Sequence, residues 1–245
     1  MKRAEIKQQA KDTLKGRWGK AVGLYLVYNL LIGAIGMVLA FLYGIGPLVL
    51  TIISVPLSFG YIGVFLKFVR NEKADYLDFF KLGFDNFGKA WSIVGYTILK
   101  LIGYYIAYVV CIFAFIGFII AAVSAESMAM LIIGAVIISL AYLIICFLLA
   151  TQSYYFVLTN YIGNDMTEMS GRDVVAKSKE LMKGHRWEFF VLQLSFIGWG
   201  ILALLTCGIG FFWLEPYMQV TYVKYYENLA YGNTKNVDEE VIREQ

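Results

Sequence analysis

Residues 21–66 read "AVGLYLVYNLLIGAIGMVLAFLYGIGPLVLTIISVPLSFGYIGVFL", 46 positions between Lys20 and Lys67 without one charged side chain. A helix crosses the hydrocarbon core of a bilayer with about 20 residues, so this stretch is long enough for two. The break falls at "YGIGP", Tyr43 to Pro47, where two glycines and a proline supply a tight turn. The stretch therefore reads as a helical hairpin with both ends on one side of a membrane.

Composition agrees: 60% of the residues are apolar and 16% charged, and the mean hydropathy of +0.66 lies far from that of a soluble domain. The net charge of +3 is too small to suggest a nucleic-acid partner. A second uncharged stretch runs from Leu101 to Asn164, interrupted only by Glu126, and reads as a hairpin with longer helices. A third, Phe189 to Val223, contains only Glu215 and breaks at "TCGIGFF", repeating the Gly-Ile-Gly of the first; its two helices are short, at about 17 or 18 residues each. The expected fold is all-α and polytopic, with six transmembrane helices arranged as three hairpins.

Orientation follows from the basic residues. Seven lie in the first 20 positions, five in Lys67 to Lys89 and five in Arg172 to Arg186, and none at the three tips. By the positive-inside rule both termini and both long connections face the cytoplasm of a cell membrane. "MKR" is not read as a cleaved signal peptide, because the apolar run that follows is too long and lacks a small-residue cleavage site.

Each hairpin is preceded by an amphipathic segment and an elbow of glycine, basic residue and tryptophan: "LKGRWGKAVGLY" at Leu14 to Tyr25, "NFGKAWSIVGY" at Asn86 to Tyr96, and "KGHRWEFF" at Lys183 to Phe190. Apolar stripes at helical spacing pass through Ile6, Ala10, Leu14 and Trp18; through Tyr76, Phe80, Phe84, Phe87 and Trp91; and through Val174, Ser178, Leu181 and His185. Asp75 and Ser170 stand as N-caps of the second and third segments. These helices are expected in the headgroup plane, with Lys15 and Lys183 reaching anionic lipid and Trp18, Trp91 and Trp187 as interfacial anchors. The chain divides into approximate repeat units 1–70, 71–164 and 165–245, within one membrane domain. The exit helices "YIGVFLKFVRN" from Tyr61 and "YMQVTYVKYYEN" from Tyr217 align with one insertion.

Catalytic chemistry finds little support. His185 is the only histidine, and Cys111, Cys146 and Cys207 fall in apolar spans, where they read as packing residues. No metal-binding, phosphate-binding or nucleophile motif is present, so catalytic, cofactor and metal sites are all expected to be absent. Intramembrane polar residues are the remaining candidates: Glu215 in "WLEPYMQ", with Gln193 and Asn29 deeper in their helices. Glu215 either binds a cation, proton or substrate group near a helix break, or is a structural carboxylate close to the outer surface. Asn29 and Gln193 are read as bonding between helices.

The run "KELMKGHRWEFFVLQLSFIGWGILALLTCGIGFFWLEPYM" and the N-terminal "EIKQQAKDTLKGRWGKAV" resemble a bacterial membrane-protein family, domain of unknown function 975, found mainly in Gram-positive bacteria. The resemblance implies a multi-pass cell-membrane protein and brings no mechanism. The leading functional expectation is a non-enzymatic accessory, protective or regulatory protein. Its contacts would be the bilayer, its anionic headgroups and a membrane-protein partner. The alternative is a small-solute or ion transporter or channel with Glu215 in the path.

Overall fold

A computed structural model of the chain describes residues 3–42, 44–124 and 128–243, with side chains throughout these except at 130, 131 and 233–243. Glu126, assigned to the second tip, lies outside them. The helices run in the order α1 (Arg3–Leu14), α2 (Trp18–Leu39), α3 (Gly46–Val69), α4 (Asp78–Asp85), α5 (Phe87–Ser124), α6 (Met128–Ser153), α7 (Thr159–Asp165), α8 (Gly171–Leu181), α9 (Arg186–Leu194), α10 (Ile197–Leu205) and α11 (Phe211–Arg243). Among the described residues there is no strand. Among the described residues five segments are long and apolar enough to cross a membrane: α2, α3, α5, the run Ile132–Asp165 through α6 and α7, and the run Arg186–Leu205 through α9 and α10. α11 has 33 residues, but Glu215, Lys224 and Glu227 fall in its first five turns and set it apart from those five.

Packing divides the molecule into a base and tips. The buried core gathers where the hairpins are joined: Leu57 to Val69 of α3, Phe156 to Ile162, Val174 and Val175 of α8, Phe189 and Leu192 of α9, and Val220 to Tyr226 of α11. At the tips the apolar side chains are uncovered, Phe41 at 81% and Leu205 at 76% exposure. Such a surface is tolerable where the surrounding medium is hydrocarbon.

The two Gly-Ile-Gly tips are built alike. Gly44 and Gly208 hold positive φ, +80° and +88°, which favours glycine. In each motif the second glycine lets the returning helix touch the outgoing one. A Cβ on Gly46 would lie 2.1 Å from the Leu39 carbonyl oxygen, and one on Gly210 would lie 2.7 Å from the Ala203 Cα. Pro47 then opens α3 in the first turn, where its missing N–H costs nothing. Cys207 sits in the third tip itself with a φ of +54°, not inside a span.

The short amphipathic helices form a collar around the base, and the apolar faces of α1 and α8 pack against protein. The stripe Ile6, Ala10 and Leu14 of α1 is buried within the protein, and Lys7 donates to the Ser195 carbonyl at 3.1 Å, in the break between α9 and α10. Its ammonium lies 4.0 Å from the Phe196 ring centroid. Burial there lowers the ammonium pKa below the usual lysine range. α8 starts at Ser170, whose hydroxyl accepts from the Asp173 N–H at 3.3 Å, and it buries Val174, Val175 and Ser178. α4 begins at Asp78 instead of next to Asp75, with Asp78 accepting the Asp75 N–H at 3.0 Å. It crosses the middle of α3 backbone to backbone: a Cβ on Gly60 would lie 2.0 Å from the Phe79 oxygen, and one on Gly83 would lie 2.3 Å from the Pro56 oxygen. α4 keeps an uncovered aromatic face, with the rings of Phe80 and Phe84 tilted against each other at 4.6 Å between centroids.

Each elbow places its basic residue on helix-end carbonyls. Arg17 donates to the Phe68 carbonyl at 2.6 Å and to Asn71. Lys89 donates to the Met166 and Thr167 carbonyls, both at 2.9 Å, and Arg186 to the Thr151 carbonyl at 3.1 Å. The last turn of a helix leaves carbonyls unbonded at the negative end of its dipole, so a cation is doubly favoured there. Gly16 and Gly184 turn their elbows with φ of +76° and +87°, while the second elbow bends at Asn86 and needs no such glycine.

The α5–α6 hairpin stands apart. α5 has 38 residues, about 57 Å at helical rise, well beyond the roughly 30 Å of a hydrocarbon core. Its first turns pack on α8 through Gly171, where a Cβ would lie 2.1 Å from Ser92 Oγ. Beyond Lys100 it is covered mainly by α6, to which Tyr108 is joined through the Tyr142 hydroxyl at 3.0 Å.

Candidate functional site at Glu215

α11 packs against both helices of the first hairpin, and between α2, α3 and α11 lies a cleft of about 380 Å³. α2 contributes Tyr25, Tyr28 and Asn29; α3 contributes Ser58 and Tyr61; α11 contributes Glu215 and Gln219. Asn29 and Ser58 stand at the middles of α2 and α3. Glu215 is therefore level with the centre of the first hairpin, deeper than its four-residue distance from the start of α11 suggests. The offset arises because the third hairpin is shorter than the first.

The groups of the cleft are only partly satisfied. Asn29 Nδ2 donates to the Tyr25 carbonyl at 2.8 Å, and Ser58 Oγ to the Val55 carbonyl at 2.8 Å; both bonds return to the residue's own helix. Tyr28 and Tyr61 stack with centroids 4.3 Å apart. Gln219 Oε1 is buried without a hydrogen-bond partner among the described residues. Among the described residues the Glu215 carboxylate meets no hydrogen-bond donor and no basic side chain. Pro216 carries no N–H to bond the Phe212 carbonyl, a local weakening of the helix beside the acid.

Of the residues singled out in the sequence, Glu215 and Asn29 come together here, whereas Gln193 does not. Gln193 Oε1 accepts the Tyr154 hydroxyl at 2.7 Å between α9 and the end of α6, in a separate place. Trp18 packs 6.5 Å from Tyr217, Trp91 donates to the Ile52 carbonyl at 3.3 Å, and Trp187 is exposed. Trp91 thus reaches the tip half of α3. Lys15 and Lys183 are exposed at the base. His185 immediately precedes α9, accepts the Tyr225 hydroxyl on its carbonyl at 3.1 Å, and pairs through Nδ1 with Glu188 at 2.9 Å. That pair is one turn long and local.

One constellation was missed altogether. At the base, Arg70 Nη1 donates to Asp165 at 2.6 Å and Nε to Glu227 at 3.3 Å. Tyr226 donates to the other Asp165 oxygen at 2.6 Å, as does Tyr231. Hydrogen bonding to Asp165 raises the Arg70 guanidinium above its ordinary range. A polar groove of about 570 Å³ between α1 and α11 borders this network, with Gln9 accepting from Asn228 at 3.0 Å. The signal was present: the aligned exit helices put Arg70 opposite Glu227, charges of opposite sign at matched positions.

No curated protein and no solved structure matches the chain. A family model covers residues 1–233, which takes in the collar, the cleft and the base network alike. The chain belongs to the family described as "Protein of unknown function (DUF975)".

Proposed function

We propose that this is a bacterial cell-membrane protein of six spans, with α11 as the sixth and both termini in the cytoplasm, acting as a non-enzymatic accessory, protective or regulatory component. The observation that carries the reading is the asymmetry between base and tips. Side chains are tightly packed where basic residues concentrate and uncovered at the hairpin tips, as suits a protein that presents a rigid cytoplasmic face and a lipid-contacting far side. The three repeat units then share one plan, a collar helix, a basic elbow and a hairpin. The contacts are made with lipid, including anionic headgroups near Lys15 and Lys183, and with a membrane-protein partner. The orientation is tested by cysteine reporters in a background free of the three native cysteines. Ile45→Cys is expected to label from outside intact cells and Lys73→Cys only after permeabilisation; external labelling at Lys73 contradicts both orientation and span number.

A second reading, transport of a small solute or ion past Glu215, is favoured by one observation: the carboxylate opens into a cleft rather than a packed interface. Proton and cation flux in proteoliposomes separates it from the first.

A further inference from the structure

We propose that the cleft between α2, α3 and α11 binds a ligand through a primary ammonium group. Three features fix the chemistry. A carboxylate without a basic neighbour lies among the tyrosine rings of Tyr28 and Tyr61. A negative group at the mid-depth of apolar helices is costly unless it is neutralised or paired with a cation. Aromatic faces attract the same cation, most strongly where water is excluded.

The second feature selects among cations. Among the described residues the Glu215 carboxylate meets no hydrogen-bond donor, and a primary ammonium supplies N–H donors to it, which a quaternary ammonium does not. The third is size and access. About 380 Å³ is far more than a bare metal ion fills and is at the scale of a small-molecule site. Asn29 on the rim is exposed while Tyr61 on the floor is buried, so the entrance faces sideways, toward the bilayer. An aminolipid headgroup and a small soluble amine share this chemistry. Binding and flux are read by separate measurements, so failure of this proposal and failure of the transport reading are distinguishable.

The test uses the full-length protein in nanodiscs of phosphatidylglycerol, doped with phosphatidylethanolamine or phosphatidylcholine, or bathed in ethanolamine. Retained lipid is read by native mass spectrometry and the thermal midpoint by scanning fluorimetry. The expected result is preferential retention of phosphatidylethanolamine over phosphatidylcholine, weakened roughly tenfold or more by Glu215→Gln, as loss of a charge-assisted contact requires. Ser58→Leu, which fills the cleft and leaves the acid in place, is expected to abolish retention even if Glu215→Gln folds poorly. Stabilisation by ethanolamine, lost in the same variants, identifies a soluble amine as the source and supports the site equally. If neither amine distinguishes the parent from Glu215→Gln and Ser58→Leu, the proposal is overturned.

Discussion

Arg70 and Asp165, 95 residues apart in the chain, meet at 2.6 Å where the ends of α3 and α7 converge. The Asp165 side chain is only 6% exposed, and the Arg70 side chain 30%. A carboxylate so covered depends on its partner, so Arg70→Met is expected to lower stability by about 3 kcal/mol. Asp165→Asn in the same chain should recover much of that loss, since no uncompensated charge is left. The check is a double-mutant cycle of thermal midpoints in detergent; strictly additive losses would refute the coupling.

The α3–α4 crossing depends on hydrogen in place of a methyl group. Gly60→Ala is expected to destabilise by at least about 2 kcal/mol, because its Cβ would meet backbone and not a movable side chain. Gly103→Ala, with open space around the new methyl, should be neutral or stabilising by up to about 1 kcal/mol. Equal effects at the two sites would show that the crossing is looser than described.

The collar also separates two roles for α1. If the helix rests on lipid, Ile6→Ala alters vesicle binding and leaves the thermal midpoint alone. Buried as Ile6 is, the same change is expected to cost about 2 kcal/mol or more of protein stability. Arg17→Met should cost about 1 kcal/mol through the lost contact with the end of α3.

What the sequence made legible was local. Uncharged runs and Gly-Ile-Gly breaks identify the first and third tips because glycine and proline act within a few residues. The amphipathic stripes were visible too, but periodicity does not say whether an apolar face meets lipid or protein, and for Ile6, Ala10 and Leu14 it meets α11 and its neighbours. Glu215 and Asn29 stood out singly as polar residues in apolar runs. Their meeting was hidden, because it depends on the length difference between the first and third hairpins. Tyr25, Tyr28 and Tyr61 carry no local signal that separates them from the rest of the 18 tyrosines. The Gly60 and Gly83 contact and the Arg70–Asp165 pair link positions that no short-range pattern connects.

His185 is expected to have no chemical role. His185→Gln should change stability by less than about 1 kcal/mol, as fits a half-exposed local pair with Glu188, and should preserve any phenotype the protein confers. Trp187→Ala removes an exposed ring at the base and should reduce the amount of inserted protein, measured by quantitative blotting of membranes. A His185→Gln protein present at normal abundance yet inactive would restore a catalytic reading.

The most direct test of a membrane protein that binds at its polar cleft but conducts nothing is flux at Glu215. Purified parent and Glu215→Gln proteins are placed in liposomes, and proton, sodium and potassium movement is followed with internal dyes, alongside thermal midpoints of the same preparations. No flux above empty liposomes is expected for either protein, and the Glu215→Gln variant should be as stable as the parent or more so, since the group is then permanently neutral. A flux in the parent that disappears in a well-folded Glu215→Gln protein would contradict this expectation and establish Glu215 as part of a transport path.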